Sequence, residues 1–280
     1  MKVQVITDSD TGLQGELADE FRIIVLPHYL IHGGESYSDL DLPRQQMIDW
    51  LKRDEQVTST HPTAHDYVSA FEEAKSSSDV VIYVPISAQY SNAYDVAHAV
   101  RERLPKLQIA VIDSQRAAGG HALFALEVAR LSRGNDSLDE LMRKIDGMQE
   151  RVTEVMVLDS LRQLSREGRT RNAEGAMKSL VSTKLLVANR GMATPIGKAR
   201  TNAQALDAII DQIKKDLARF DAGDIRMLIE YGTDDDLADR VKERLIAQFS
   251  PAEVWVLPTS PSAMLRMGIS GWSVSWSVVS

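Results

Sequence analysis

The chain switches between two hydrophobic periods, and the switches mark out its elements. Residues 80–84 form an unbroken apolar run between polar neighbours, which predicts a buried strand. The run empties into Pro85-Ile86-Ser87-Ala88-Gln89-Tyr90, and a helical pattern capped by Ser91 continues through Arg103. Other strand patterns in the first half cover 2–6, 22–26, 29–31 and 108–112, and helical patterns cover 42–52, 64–74, 117–131 and 138–150. Pro43 suits a helix start, and Asp136 and Ser137 suit helix entry. This alternation predicts a layered α/β domain over residues 1–150.

A second α/β domain is expected over 151–280. Its strand patterns are 152–158, 183–187, 226–231 and 253–257, with a hairpin turn at Asn189-Arg190-Gly191. Helical patterns cover 160–164, 173–180, 203–220 and 234–249, and 165–172 reads as a charged loop. The period-two pattern is clearest at the end, where Trp272, Val274, Trp276 and Val278 share one face and Ser273, Ser275 and Ser277 the other.

Composition narrows the function classes. The chain has no cysteine, which removes disulfides, thiolate catalysis and cysteine zinc sites. Its net charge of -8 argues against nucleic acid as a partner and against more than transient membrane contact. Residues 1–7 do not read as a signal peptide and no apolar stretch reaches spanning length, so a cytoplasmic location is expected. No phosphate-binding glycine motif occurs.

Three predicted strands end in Asp8-Ser9, Ile86-Ser87 and Asp113-Ser114. Small molecules bind at such strand ends in open α/β sheets, and the helix N-terminus at Ser91 offers free N–H groups to an anion. The same residues also describe an ordinary capped turn. The turn Ser59-Thr60-His61-Pro62 supplies further hydroxyls, or simply leads to a helix capped by Thr63. His61 and Ser91 with Asp8 or Asp113 could form a nucleophilic triad, although Ser91 lacks the Gly-x-Ser-x-Gly elbow. The pairs His28/His32 and His61/His65 are a weak metal signal. Arg162, Arg166, Arg169 and Arg171 cluster around Gly168, as an oxyanion or acidic-partner site or as a solvated loop. Arg266 stands before Gly268 and the last strand, where it is either a carboxylate clamp or a surface residue.

Taken in order, Ile6-Thr7-Asp8-Ser9, Ser59-Thr60-His61-Pro62-Thr63, Ile86 to Tyr94, Val111-Ile112-Asp113-Ser114, Glu167-Gly168-Arg169 and Gly197-Lys198-Ala199-Arg200 resemble the DegV family of bacterial fatty-acid-binding proteins. The resemblance covers nearly the whole chain. It implies a two-domain α/β fold with a lipid tunnel near the domain junction, a long-chain fatty acid as ligand, no cofactor, no catalysis by this chain, and a fatty acid kinase as partner. Carried over residue by residue, it places Ser59, Thr60, Ser91, Asn92 and Arg266 at the carboxylate, and Arg169 and Arg171 on a partner or anion loop. Three positions depart from the family pattern: Asn92 stands for a glycine, Ala93 for a hydroxyl residue and Arg266 for a histidine. The alternative reading is an α/β enzyme, a serine hydrolase or a phosphotransferase using the arginine cluster.

Overall fold

The computed structural model describes residues 1–158, 183–220 and 224–279. A four-stranded parallel sheet has the order β2-β1-β6-β7, from β1 (Val3–Asp8), β2 (Ile23–Leu26), β6 (Val80–Val84) and β7 (Ile109–Val111). Every residue of β6 is buried, because both faces are covered. Val80, Ile82 and Val84 pack with α5 (Ala118–Leu131) and α6 (Leu138–Met148), while Val81 and Tyr83 pack with α3 (Ala64–Lys75) and α4 (Ala93–Glu102).

Beside it lies a small antiparallel sheet, β4-β3-β5, made of β3 (Tyr29–His32), β4 (Glu35–Ser38) and β5 (Val57–Thr60). Gly33 and Gly34, at φ 60° and 87°, form the two-residue turn between β3 and β4, where both positions need the left-handed region. Strands β4 and β5 have no apolar alternation and were not predicted. The short helix α1 (Gly15–Phe21), which has no side-chain cap, was also missed, whereas α2 (Arg44–Lys52) follows the predicted helix.

The second half builds a six-stranded sheet of order β10-β9-β8-β13-β11-β12. Its strands are β8 (Val152–Leu158), β9 (Lys184–Arg190), β10 (Met192–Ala199), β11 (Asp224–Tyr231), β12 (Glu253–Pro258) and β13 (Trp272–Val279). Helices α7 (Asn202–Phe220) and α8 (Asp235–Phe249) cover one face through Trp272, Val274, Trp276 and Val278. The serine face of β13 is buried too, and α5 lies on it. The approach is close: a Cβ on Gly119 would come 3.0 Å from Ser273 Oγ, and one on Gly120 would come 3.0 Å from the Glu154 side chain. Helix α5 therefore sits between the two larger sheets and is buried from Ala118 to Ala129.

The expected helix start at Ser91 needs correction. Asn92 is the N-cap residue of α4 without a side-chain cap bond, and the Ser91 hydroxyl instead accepts the Ala93 N–H at 3.2 Å. An unpredicted helix, α9 (Pro261–Met267), precedes β13; the Ser260 hydroxyl caps it by accepting the Ala263 N–H at 3.1 Å. The expected elements at 160–164, 165–172 and 173–180, with Arg162, Arg166, Arg169 and Arg171, lie outside the described residues. Among the described residues no helix is long and apolar enough to cross a membrane.

Candidate ligand-binding site

Strand β1 delivers Asp8 to the interior, where its carboxylate accepts the Asp10 N–H at 3.2 Å and closes the tight turn Ser9–Thr11. Gly12 ends that turn at φ 66°, and a Cβ there would come 3.1 Å from the Pro258 carbonyl. The other Asp8 oxygen accepts the Ile86 N–H at 2.9 Å and the Tyr83 hydroxyl at 3.4 Å. His28 Nε2 stands 3.4 Å from Asp8 Oδ1. His121 Nδ1 stands between Asp8 at 3.8 Å and Asp10 at 3.7 Å. Its Nε2 lies 2.9 Å from the Val84 carbonyl, which can only accept, so Nε2 carries a proton.

The environment sets the charges. Burial alone would raise the Asp8 carboxyl, yet the facing His28 and His121, with the bonds from His28 and Ile86, hold it below its ordinary value. Burial pushes the His121 imidazole down, against the pull of Asp8. Asp39, 1% exposed, is pushed up by burial despite the facing His28 and hydrogen bonds from Ser262 and Ser9.

Asp10 reaches from this turn to two other elements. One of its carboxylate oxygens accepts the Ala118 N–H at the start of α5 at 2.7 Å, and the other forms an ion pair with Arg266 of α9. Arg266 is 2% exposed, which excludes the surface-residue reading. Its guanidinium carbon lies 5.7 Å from the centre of the Tyr90 ring. Burial pushes the Arg266 pKa down to about 10, partly offset by Asp8, so the group is charged at neutral pH.

Around α9 the structure gathers most of the elements expected to carry the site. Helix α9 packs against β3 and β5, and β5 bears Ser59, half-buried opposite Leu30, and Thr60, exposed opposite Tyr29. Tyr90 links Arg266 to the turn that carries half-buried Ser91 and exposed Asn92. From the same turn, the Ser87 hydroxyl donates to the Gly191 carbonyl at 2.8 Å and ties in the β9–β10 hairpin. Arg169 and Arg171 lie outside the described residues.

An apolar cluster adjoins these groups. Ile86, Tyr90 and Ala93 meet Ala117 and Ala118 at the start of α5, Ala263 and Met267 of α9, and Met156, Leu158, Leu185 and Val187 of β8 and β9. It thus joins both halves of the chain directly beside Arg266.

The triad considered from sequence has its members engaged elsewhere. His61 Nδ1 lies 2.7 Å from the Pro62 carbonyl, Ser91 accepts the Ala93 N–H, and Asp113 accepts the N–H groups of Ala88 at 3.1 Å and Gln115 at 2.9 Å. The His28/His32 pair is split between Asp8 and Glu55. Among the described residues no group of three or more acidic or histidine side chains is placed to hold a metal ion. Sequence reasoning singled out Arg266 and the hydroxyl turns but missed Asp10 and His121 as neighbours of the site. The only local signal was the acidic strand end Asp8-Ser9-Asp10.

This geometry defines a two-domain α/β protein whose domains meet around a buried polar apex and an adjoining apolar cluster. A family model described as "Uncharacterised protein, DegV family" matches residues 2–279, and the chain belongs to the DegV family. It is 29% identical over 254 residues to a DegV domain-containing protein of Clostridium perfringens, with 88% of this chain and 89% of that one covered. Among solved structures it is similar to a DegV family protein from Thermus thermophilus described as fatty-acid-binding, with a TM-score of 0.92 at 20% identity and 100% of both chains covered. It is similar also to the Streptococcus pneumoniae fatty acid kinase B3 protein loaded with linoleic acid, with a TM-score of 0.84 at 22% identity and 100% of both chains covered.

Proposed function

We propose that this protein is a noncatalytic carrier in the cytoplasm that buries the tail of a long-chain fatty acid between its domains, 1–150 and 151–280, and presents the head group to a fatty acid kinase. The observation that carries the reading is the apolar cluster from Ile86 and Tyr90 to Leu158 and Leu185, which begins beside the only buried guanidinium described on α9. Ser59, Thr60, Ser91, Asn92 and Arg266 are the head-group residues on this reading, and Arg169 and Arg171 are assigned to partner or anion recognition. Family membership and the fatty acids named for similar proteins in the solved structures support it.

The energetics are those of a tail-driven site. Each buried CH₂ contributes roughly 0.8 kcal/mol, so a long acyl chain gains on the order of 10 kcal/mol before the costs of association. A few polar groups at one end then suffice to orient it.

Mass spectrometry of the purified protein, native and after organic extraction, tests this directly. The expected result is one fatty acid per chain, with Ser91→Ala weakening rebinding several-fold while the thermal midpoint stays in place. A protein that arrives empty and takes up no added fatty acid would refute the carrier reading.

A further inference from the structure

We infer that Asp10 is a positioning residue for head-group selectivity: by matching the charge of Arg266, it makes the site accept a neutral polar head, a fatty alcohol or primary amide, nearly as well as a carboxylate. The inference rests on the fatty-acid reading above and sharpens it.

Arg266 reaches the apex from α9 with its charge already paired. Asp10 is not free to swing away from it, because one of its oxygens is held by the Ala118 N–H at 2.7 Å and its backbone carbonyl accepts the Ser260 hydroxyl at 3.4 Å. The other titratable groups facing the apex are engaged with one another rather than with Arg266. Asp8 of β1 faces His28, and His121 of α5 lies between Asp8 and Asp10. Tyr83 of β6 donates to Asp8, Asp39 lies against His28, and Glu230 of β11 accepts the Gly119 N–H, the next along α5. Among the described residues at this apex, each charged carboxylate therefore faces a cation or an imidazole.

An incoming carboxylate would add a buried negative charge beside a guanidinium already paired with Asp10, and a buried anion is costly unless it is paired and well hydrogen-bonded. A hydroxyl or amide head carries no such cost. A guanidinium has five N–H donors, more than the one Asp10 oxygen facing it can take up, so an oxygen of either kind can be met by the remainder. Selectivity for an acid over its neutral counterpart is the quantity that Asp10 suppresses.

The test uses the delipidated full chain and titrates palmitic acid, hexadecanol and palmitamide at about pH 8 by calorimetry. In the wild type, the three dissociation constants are expected within about tenfold of one another, a spread of about 1.4 kcal/mol. Asp10→Asn is expected to widen the acid-over-alcohol ratio by at least about tenfold, because it leaves Arg266 unmatched. The double variant Asp10→Asn/Arg266→Gln, with both charges removed, should return to the wild-type ratio. A purely structural role would shift all three ligands together and leave the ratio alone. If Asp10→Asn fails to fold, the wild-type ratio and the double variant decide. A wild-type preference for the acid beyond about a hundredfold, or a ratio unmoved by Asp10→Asn, overturns the inference while leaving the fatty-acid reading in place; uptake of none of the three overturns both.

Discussion

Two consecutive N–H groups at the start of α5 serve two buried carboxyls in opposite electrostatic surroundings. Ala118 donates to Asp10 at 2.7 Å, within the cluster where Asp10 has Arg266 and Asp8 has His28. Gly119 donates at 2.8 Å to Glu230 on β11, where another buried acid, Glu154, acts on it more strongly than Arg44 does. Burial raises the Glu230 pKa well above its ordinary value and Glu154 raises it further, against the Gly119 and Ser260 N–H groups and Arg44. Asp8, just as deeply buried, is held below its ordinary value. Depth alone does not decide the charge of a carboxyl; the base brought opposite it does. One cluster sets its carboxyls against bases, and the other sets two buried acids against each other between a helix and a sheet.

The strongest way to break this contrast is Arg266→Ala, which strands Asp10 without its cation. Removing one partner of a buried pair costs about 3–5 kcal/mol, so urea unfolding should show a large loss, mostly recovered when Asp10→Asn is added. A stable single variant would mean that the pair carries no charge. Next, Gly119→Ala pushes a methyl group toward Ser273 Oγ at 3.0 Å, Leu228 Cδ2 at 3.1 Å and Ser275 Oγ at 3.2 Å. Overpacking of this kind costs about 1–3 kcal/mol, and a melting curve matching wild type would show that α5 can move off the sheet without penalty.

The third effect depends on pH. Glu230 binds its proton more tightly in the folded chain than in the unfolded one. Its contribution is therefore complete below its ordinary value of 4.5 and is lost as pH rises toward the folded-state value. In that window the wild type should lose up to about 1.4 kcal/mol per pH unit through this group, and Glu230→Gln should flatten the curve. Parallel curves for the two proteins would assign Glu230 an ionised state instead. Asp8 has the opposite sign, its contribution fading as pH falls below its ordinary 3.8 toward its lowered folded-state value. The smallest effect is expected for an exposed acid–cation contact: Lys144→Ala removes the 2.7 Å pair with Asp136 and should change stability by less than about 1 kcal/mol.

What the sequence by itself determined is what periodicity encodes. The apolar run of β6 appears at its predicted limits, α5 and α8 lie within a residue of theirs, and the alternation of β13 correctly separated its tryptophans from its serines. The motif order was also sufficient to recognise the DegV family. Elements escaped where local pattern was silent: β4 and β5 are short and polar, α1 and α9 are single-stretch helices of seven residues each, and β10 was signalled only by the hairpin turn before it. Only tertiary structure decided that the serine face of β13 is covered by the glycines of α5, since period two separates two faces but does not say what lies on either. Only tertiary structure, too, paired Asp10 with Arg266. A residue type carries its charge and its reach, but its partner is chosen by the packing of strand ends and helices that lie at opposite ends of the chain.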